Sequence, residues 1–204
     1  WLPEAHPVAP SHISAMMSGV MLKVAVYGFI RVIFDLIGQF HWQWGVSVLA
    51  IGSVSAIMGV LYALMQSDLK RLLAYSSVEN LGIIFIGLGL ALVFLSTGHL
   101  VLGSLALIAA LYHSINHAMF KGLLFLGAGA ILHSTHERDL EQMGGLLRRM
   151  PWTGLFFLIG CLSISALPPF NGFVSEWLTF QTALQAWQLD SGVLRSLIPI
   201  TAAV

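Results

Sequence analysis

Charge is what this sequence has least of. Nine basic and nine acidic residues among 204 make up 9% of the chain, where a soluble domain carries about 25%. The two signs cancel to a formal net charge of zero. That balance excludes the basic footprint of a nucleic-acid binder and the field that steers a soluble polyanion, so no nucleic-acid partner is expected. Cysteine is nearly absent. Cys161 stands alone in an apolar stretch, forms no internal disulfide and reads as a small packing residue. The opening segment, Trp1-Leu-Pro-Glu-Ala-His-Pro7, is polar and contains proline, and it has no basic n-region of a signal peptide. The chain begins on Trp1 and stops at Val204, inside an apolar run that starts at Val193, so both ends are expected to be cuts through a larger polypeptide.

What is abundant is apolar. Hydrophobic residues supply 57% of the chain and the mean hydropathy is +0.86, the composition of a protein dissolved in a bilayer. A hydrocarbon core about 30 Å thick needs about 20 apolar residues as helix. Five segments qualify, at about 12–34, 44–66, 71–95, 100–132 and 152–187, joined by polar or turn-forming stretches such as Gly38-Gln39-Phe40-His41 and Gln66-Ser67-Asp68. The expected fold is all-α, a polytopic transmembrane helical bundle. The last two segments are too long for one straight crossing. In the final one, Ser165-Ala-Leu-Pro-Pro-Phe-Asn-Gly-Phe173 breaks the helix, because Pro168 and Pro169 remove backbone donors and Asn171-Gly172 favours a turn. A discontinuous helix at membrane depth points to a hydrated internal path, since its freed backbone groups must be satisfied by protein or water. A loop between two short helices is the alternative.

Alternating the spans puts Lys70, Arg71, Arg138, Arg148 and Arg149 on one side, with Arg31 and Arg195 near the other. The positive-inside rule makes the first side cytoplasmic, including residues 1–11 and the 133–150 connection. That connection, with Glu137, Arg138, Asp139 and Glu141 alternating in sign, reads as a solvated amphipathic segment along the membrane surface. Arg31, Arg71 and Arg148-Arg149 read as interface anchors.

Against this background the intramembrane ionisable residues stand out. Lys23 lies about eleven residues, or about 16 Å, from either end of its span and so near the midplane. A charged lysine there costs about 2.5 to 3.5 kcal/mol on insertion scales. Desolvation brings a buried lysine's proton exchange toward neutral pH, which suits a relay; pairing with a buried carboxylate such as Glu79 or Glu176 is the structural alternative. His113, His117 and Lys121 occupy i, i+4 and i+8 on one helix face, with Asn116 beside them. Imidazoles about 6 Å apart can be bridged by one or two waters and can pass protons laterally. The same histidine spacing suits a metal or haem, but no second histidine-rich helix or His-Glu-x2-His pattern accompanies it. Hydrogen-bonded packing histidines are a further reading. Glu79, Asn80 and Tyr75 sit near the start of the third span, where they either bridge waters or satisfy a helix end. Glu176, past the helix break, is the preferred terminal proton donor or acceptor.

These segments taken in order resemble a known family. Trp1-Leu-Pro-Glu-Ala-His6 with Ala9-Pro10, Ser18-Gly-Val-Met-Leu-Lys-Val-Ala-Val-Tyr-Gly28, Asp68-Leu-Lys-Arg-Leu-Leu-Ala-Tyr-Ser-Ser-Val78, His117-Ala-Met-Phe-Lys-Gly122 and Leu167-Pro-Pro-Phe-Asn-Gly-Phe173 resemble the antiporter-like, proton-conducting membrane subunits of respiratory complex I, group 4 hydrogenases and multisubunit cation/proton antiporters. Ala5-His-Pro-Val-Ala-Pro-Ser11 and Ser76-Ser-Val-Glu-Asn80 look most like the large membrane subunits of formate hydrogenlyase and hydrogenase 4.

The resemblance implies a subunit of about fourteen helices with two inverted repeats, each holding a discontinuous helix. Residues 1–204 would be one membrane-domain fragment: the end of the first repeat and most of the second. It implies Lys23 as the central proton carrier, His117 as the relay histidine with Lys121 at a position that is lysine in some members, and Glu176 as the terminus toward the periplasm. Asn80 stands where the family often has histidine, so that step passes to Glu79. The expected function is proton translocation along Lys23, His113, His117, Lys121 and Glu176 within a redox-driven complex of hydrogenase or NADH dehydrogenase type. Sodium/proton antiport and a haem-holding redox anchor are the alternatives. The resemblance implies no cofactor or metal in this chain and no catalysis by it alone. Its implied partners are other membrane subunits, a peripheral hydrogenase-like redox module and the bilayer of a bacterial or archaeal inner membrane, with protons, or sodium in the antiporter reading, as cargo.

Overall fold

A computed structural model describes residues 1–202, so the last residues of the terminal apolar run, Ala203 and Val204, lie outside the described residues. Helix α1 is Leu2–Val8. A continuous rod follows, here α2, made of α-helix Ser11–Met16, a π-helical turn Met17–Met21, α-helix Leu22–Ile30 and a second π-helical stretch Arg31–Ile37. Then come α3 (Trp42–Leu64), α4 (Leu69–Ser96) and α5 (Leu100–Thr135). After a short 3-10 turn, α6 (Leu146–Arg149), α7 (Pro151–Ile164), α8 (Asn171–Leu184) and α9 (Gly192–Ala202) complete the order. There is no strand among the described residues.

Helices α3, α4 and α5 are long and apolar enough to cross a bilayer, and α7 and the run 192–201 are shorter apolar helices. The expected spans at 44–66, 71–95 and 100–132 fall on α3, α4 and α5 to within three residues. Asp68 starts α4 as its N-cap, accepting from the amides of Lys70 at 2.8 Å and Arg71 at 3.0 Å.

The fifth expected span divides at the proline-containing segment into α7 and α8. Ala166 turns the chain in the left-handed region at φ 48°, and Gly172 brings its Cα directly against the Ser163 carbonyl, where no Cβ fits. A second break lies between α1 and α2. Ala9 and Pro10 are extended, at ψ 146° each, so Leu2–Val8 form a packed half-helix with His6 and Pro7 buried rather than a polar tail. Both breaks free backbone carbonyls, and side chains take them up. Lys70 Nζ donates to Ala9 O at 2.9 Å, Arg138 to Pro7 O at 3.1 Å and Asn116 to Asn171 O at 3.0 Å, as backbone at membrane depth requires.

Glycine sets the closest helix contact. Gly45 and Gly52 of α3 face Gly89 and Gly82 of α4, and Gly59 faces Glu79, so the α3 glycines recur at seven-residue spacing. A Cβ on Gly82 would lie 2.6 Å from both Ala56 N and Gly52 O, and one on Gly89 would lie 2.7 Å from Leu49 N. The two backbones therefore touch, the arrangement that small residues permit between membrane helices. The other face of α4 packs on α5, where Gly87 abuts Ala110.

The charged connections meet at one end. Leu69 N donates to Arg138 O and Leu140 N to Ser67 O, so the start of α4 and the stretch after α5 are laced together, with an ion pair of Arg71 and Glu4 at 2.7 Å beside them. This gathers Lys70, Arg71, Arg138 and residues 1–11 on one side, as the alternation of spans predicts.

Candidate functional site

Buried polar residues concentrate where α2, α4, α5 and α8 meet. On α5, His113, His117 and Lys121 are each 0% exposed and share one face, as their spacing predicts. They do not bond to one another. They bond to neighbouring helices instead: His117 to α2, His113 to α4 and α8, and Lys121 to α4.

His117 reaches α2, where Lys23 Nζ lies 2.5 Å from its Nδ1 and donates to Ser18 O at 2.7 Å. An ammonium has only protons to give, so His117 Nδ1 accepts while Lys23 is charged, and the neutral ring then carries its proton on Nε2. That Nε2 is buried without a partner. No carboxylate bonds to Lys23 among the described residues, so the expected alternative of a Lys23 ion pair with Glu79 or Glu176 is absent there. Ser18 Oγ bonds Ser77 Oγ of α4 at 2.8 Å and fastens the π-helical turn. An apolar groove of about 580 Å³ between α2 and α5 opens onto Lys23 beside Gly19 and Ala118.

His113 joins three helices. Its Nε2 lies 3.2 Å from Asn80 Oδ1 on α4 and its Nδ1 lies 3.0 Å from Ser175 Oγ on α8. Asn80 Nδ2 donates to Ser76 O at 2.8 Å; a carbonyl only accepts, so the amide oxygen must face His113 and Nε2 must donate to it. Neutral His113 then accepts from Ser175 at Nδ1. Asn80→Leu should strand that buried donor and lower stability by about 1–3 kcal/mol, read as a lower melting temperature of the detergent-solubilised full-length subunit.

Lys121 donates to Leu73 O at 3.0 Å and to Ser76 Oγ. Ser76 therefore serves both Asn80, through its carbonyl, and Lys121, through its hydroxyl. The α5 stripe is closed through α4, not along its own axis. The rings of His113 and His117 lie parallel, 6.5 Å between centroids and 6° between planes.

The remaining expected residues lie apart from this network. Glu79 is on the α3 face of α4, its backbone against Gly59, and it borders a cavity of about 530 Å³ with Ser76, Leu124, Phe157 and Cys161. Asn80, not Glu79, meets His113. Tyr75 stacks on Tyr62 of α3, 5.5 Å between centroids. Glu176 is partly buried next to Ser175 and forms no hydrogen bond or ion pair among the described residues. The sequence assigns no site role to Ser18 or Ser175, and to Asn171 only a place in the helix break. The one signal was the i, i+4, i+8 spacing of Asn171, Ser175 and Thr179 on α8.

The family described as NADH:quinone oxidoreductase/Mrp antiporter, TM, matches residues 1–198. The chain is 53% identical over 202 residues to hydrogenase-4 component B of Escherichia coli (strain K12), an alignment that covers 98% of this chain and 30% of that protein. It is 38% identical over 202 residues to formate hydrogenlyase subunit 3 of the same strain, covering 99% and 33%. A chain in the solved structure of the Mrp complex from Dietzia sp. DQ12-45-1b superposes with a TM-score of 0.80 at 28% identity, over 99% of this chain and 36% of that one. The chain thus spans about a third of the length of the proteins it matches. Motif order, helical architecture and these likenesses agree: the chain belongs to the NADH:quinone oxidoreductase/Mrp antiporter transmembrane family and is a multi-pass membrane segment of an antiporter-like subunit.

Proposed function

We propose that the chain is the part of a proton-translocating subunit in which protons pass from Lys23 through the α5 histidines toward Glu176, in a complex driven by a peripheral redox module. It comprises the end of the first repeat and most of the second. The observation that carries the reading is the Lys23–His117 hydrogen bond. Two titratable bases, one buried and one partly buried, share a proton with no carboxylate bonded to either among the described residues. Such a pair passes protons on; an ion pair would store the charge. When Lys23 gives its proton to His117 Nδ1, the ring sheds one from Nε2, and a single water can carry it across the gap to His113, whose Nδ1 is free to take it when the Ser175 hydroxyl turns its proton to the Gly172 carbonyl 3.0 Å away. Ser175 links His113 to α8, the helix that bears Glu176. Lys121 and Ser76 form a second branch. The end holding Lys70, Arg71 and Arg138 is the cytoplasmic one by its positive charge.

The test is proton uptake into inverted membrane vesicles containing the full-length subunit in its complex, started by adding reductant. Glu176→Gln should abolish uptake while the redox reaction and assembly persist, and uptake should proceed without sodium. Uptake that requires sodium would assign the same groups to sodium/proton exchange. The haem-anchor reading is weaker on geometry: both His113 nitrogens are engaged by Asn80 and Ser175, and Lys23 occupies one nitrogen of His117.

A further inference from the structure

His6 is a buried histidine outside the network described above. It is 0% exposed, and both of its ring nitrogens lack a hydrogen-bond partner among the described residues. Buried side-chain nitrogens nearly always find a hydrogen bond, and a ring held only for packing would be better served by phenylalanine. Its ring stacks on Phe125, 4.7 Å between centroids and 23° between planes. Phe125 is four residues beyond Lys121 on the same face of α5, about 6 Å along the axis. The ring therefore lies one turn from Lys121, toward the end where the charged connections meet.

The surroundings hold the backbone that carries the imidazole and leave the ring nitrogens unbonded among the described residues. Ser14 Oγ donates to the His6 carbonyl at 3.1 Å. The two carbonyls that follow, of Pro7 and Ala9, are held by Arg138 and Lys70, and Glu4 on the same half-helix pairs with Arg71. On one side of the ring is a fully buried lysine; on the other are the buried Lys70, Arg138 and the exposed Arg71–Glu4 pair of the charged connections. No carboxylate bonds to the ring among the described residues.

We propose that His6 is a proton-carrying group through which Lys121 exchanges protons with the face formed by the start of α4 and the connection after α5. A proton taken up at one ring nitrogen from that face is matched by a proton released from the other toward neutral Lys121. The ring ends neutral with its tautomer exchanged, and a turn about its side-chain bonds resets it. No electron or co-reactant is needed. The half-helix α1 is then a mount for the carrier as well as the first part of a broken helix.

This rests on the proton-translocation reading, and the experiment separates the two. Inverted vesicles holding the complex with full-length subunit are assayed for protons moved per redox turnover in wild type, His6→Phe, His6→Gln and Glu176→Gln. Phenylalanine keeps the stack on Phe125, and glutamine keeps a polar group without a titrating nitrogen. Both His6 variants should assemble and lose at least about tenfold in protons per turnover. Wild-type pumping in either overturns the assignment of His6 while Glu176→Gln still fails to pump; normal pumping in Glu176→Gln as well overturns the translocation reading itself. Failure of His6→Phe to assemble also counts against the proposal, because a ring with no hydrogen bond to lose should be replaceable by one of its own shape.

Discussion

Lys23→Ala in the full-length subunit is expected to reduce proton translocation by at least about 100-fold while the complex still assembles. Alanine removes the only group on α2 that bonds to His117, and with it the proton the pair shares. Assembly should survive because the lysine borders a groove at its outer side and its removal strands only the Ser18 carbonyl and His117 Nδ1. The first is a backbone oxygen, and the second can change tautomer. Redox turnover in the variant should continue without acidification of the vesicle lumen, measured with a pH-sensitive dye. Pumping within twofold of wild type would remove Lys23 from the path. Lys23→Arg should resemble alanine, since a guanidinium holds its proton at every accessible pH.

The second large effect concerns the α3–α4 seam. Gly82→Val should prevent accumulation of folded subunit, because its Cβ alone would meet Ala56 N and Gly52 O at 2.6 Å and backbone cannot rotate aside as a side chain can. Overpacking of this kind costs about 3 kcal/mol, a large share of a membrane subunit's margin. Gly144→Ala, in the exposed connection with nothing within 4 Å of the added carbon, should accumulate normally. Yield and melting temperature in detergent compare the two. Equal behaviour would mean that the seam opens far more easily than touching backbones allow.

Much of this architecture was legible because the bilayer simplifies the reading. Apolar run length alone put α3, α4 and α5 in place, and Pro168-Pro169 with Asn171-Gly172 marked the break before α8. The break at Ala9-Pro10 was harder to read: His6 and Glu4 give α1 a polar look, and the burial of His6 against α5 and the pairing of Glu4 across to α4 arise only when the chain is folded. The π-helical turns of α2 were equally silent, since a π turn is selected by what its backbone meets, here Ser18 against Ser77 and Lys23. The α5 stripe followed from periodicity, but its partners could not. Lys23 and His117 are 94 residues apart in the chain, and no local pattern pairs them. Asn80 looked like a departure from a histidine position, yet its amide is anchored by the Ser76 carbonyl and so can set which His113 nitrogen holds the proton.

The glycine seam also decides which walls of the polar core can move. Touching backbones clamp α4 to α3 from Gly59 against Glu79 at one end to Gly45 against Val93 at the other, and Ser76, Ser77 and Asn80 project from the opposite side of that clamped pair. They form a stator. Lys23, His6 and Ser175, by contrast, ride on α2, α1 and α8, each close to a π-helical or extended interruption of its helix. A switch in the water-bridged steps would come from these elements sliding against a fixed α4, the way a contact brush works against a stationary rail.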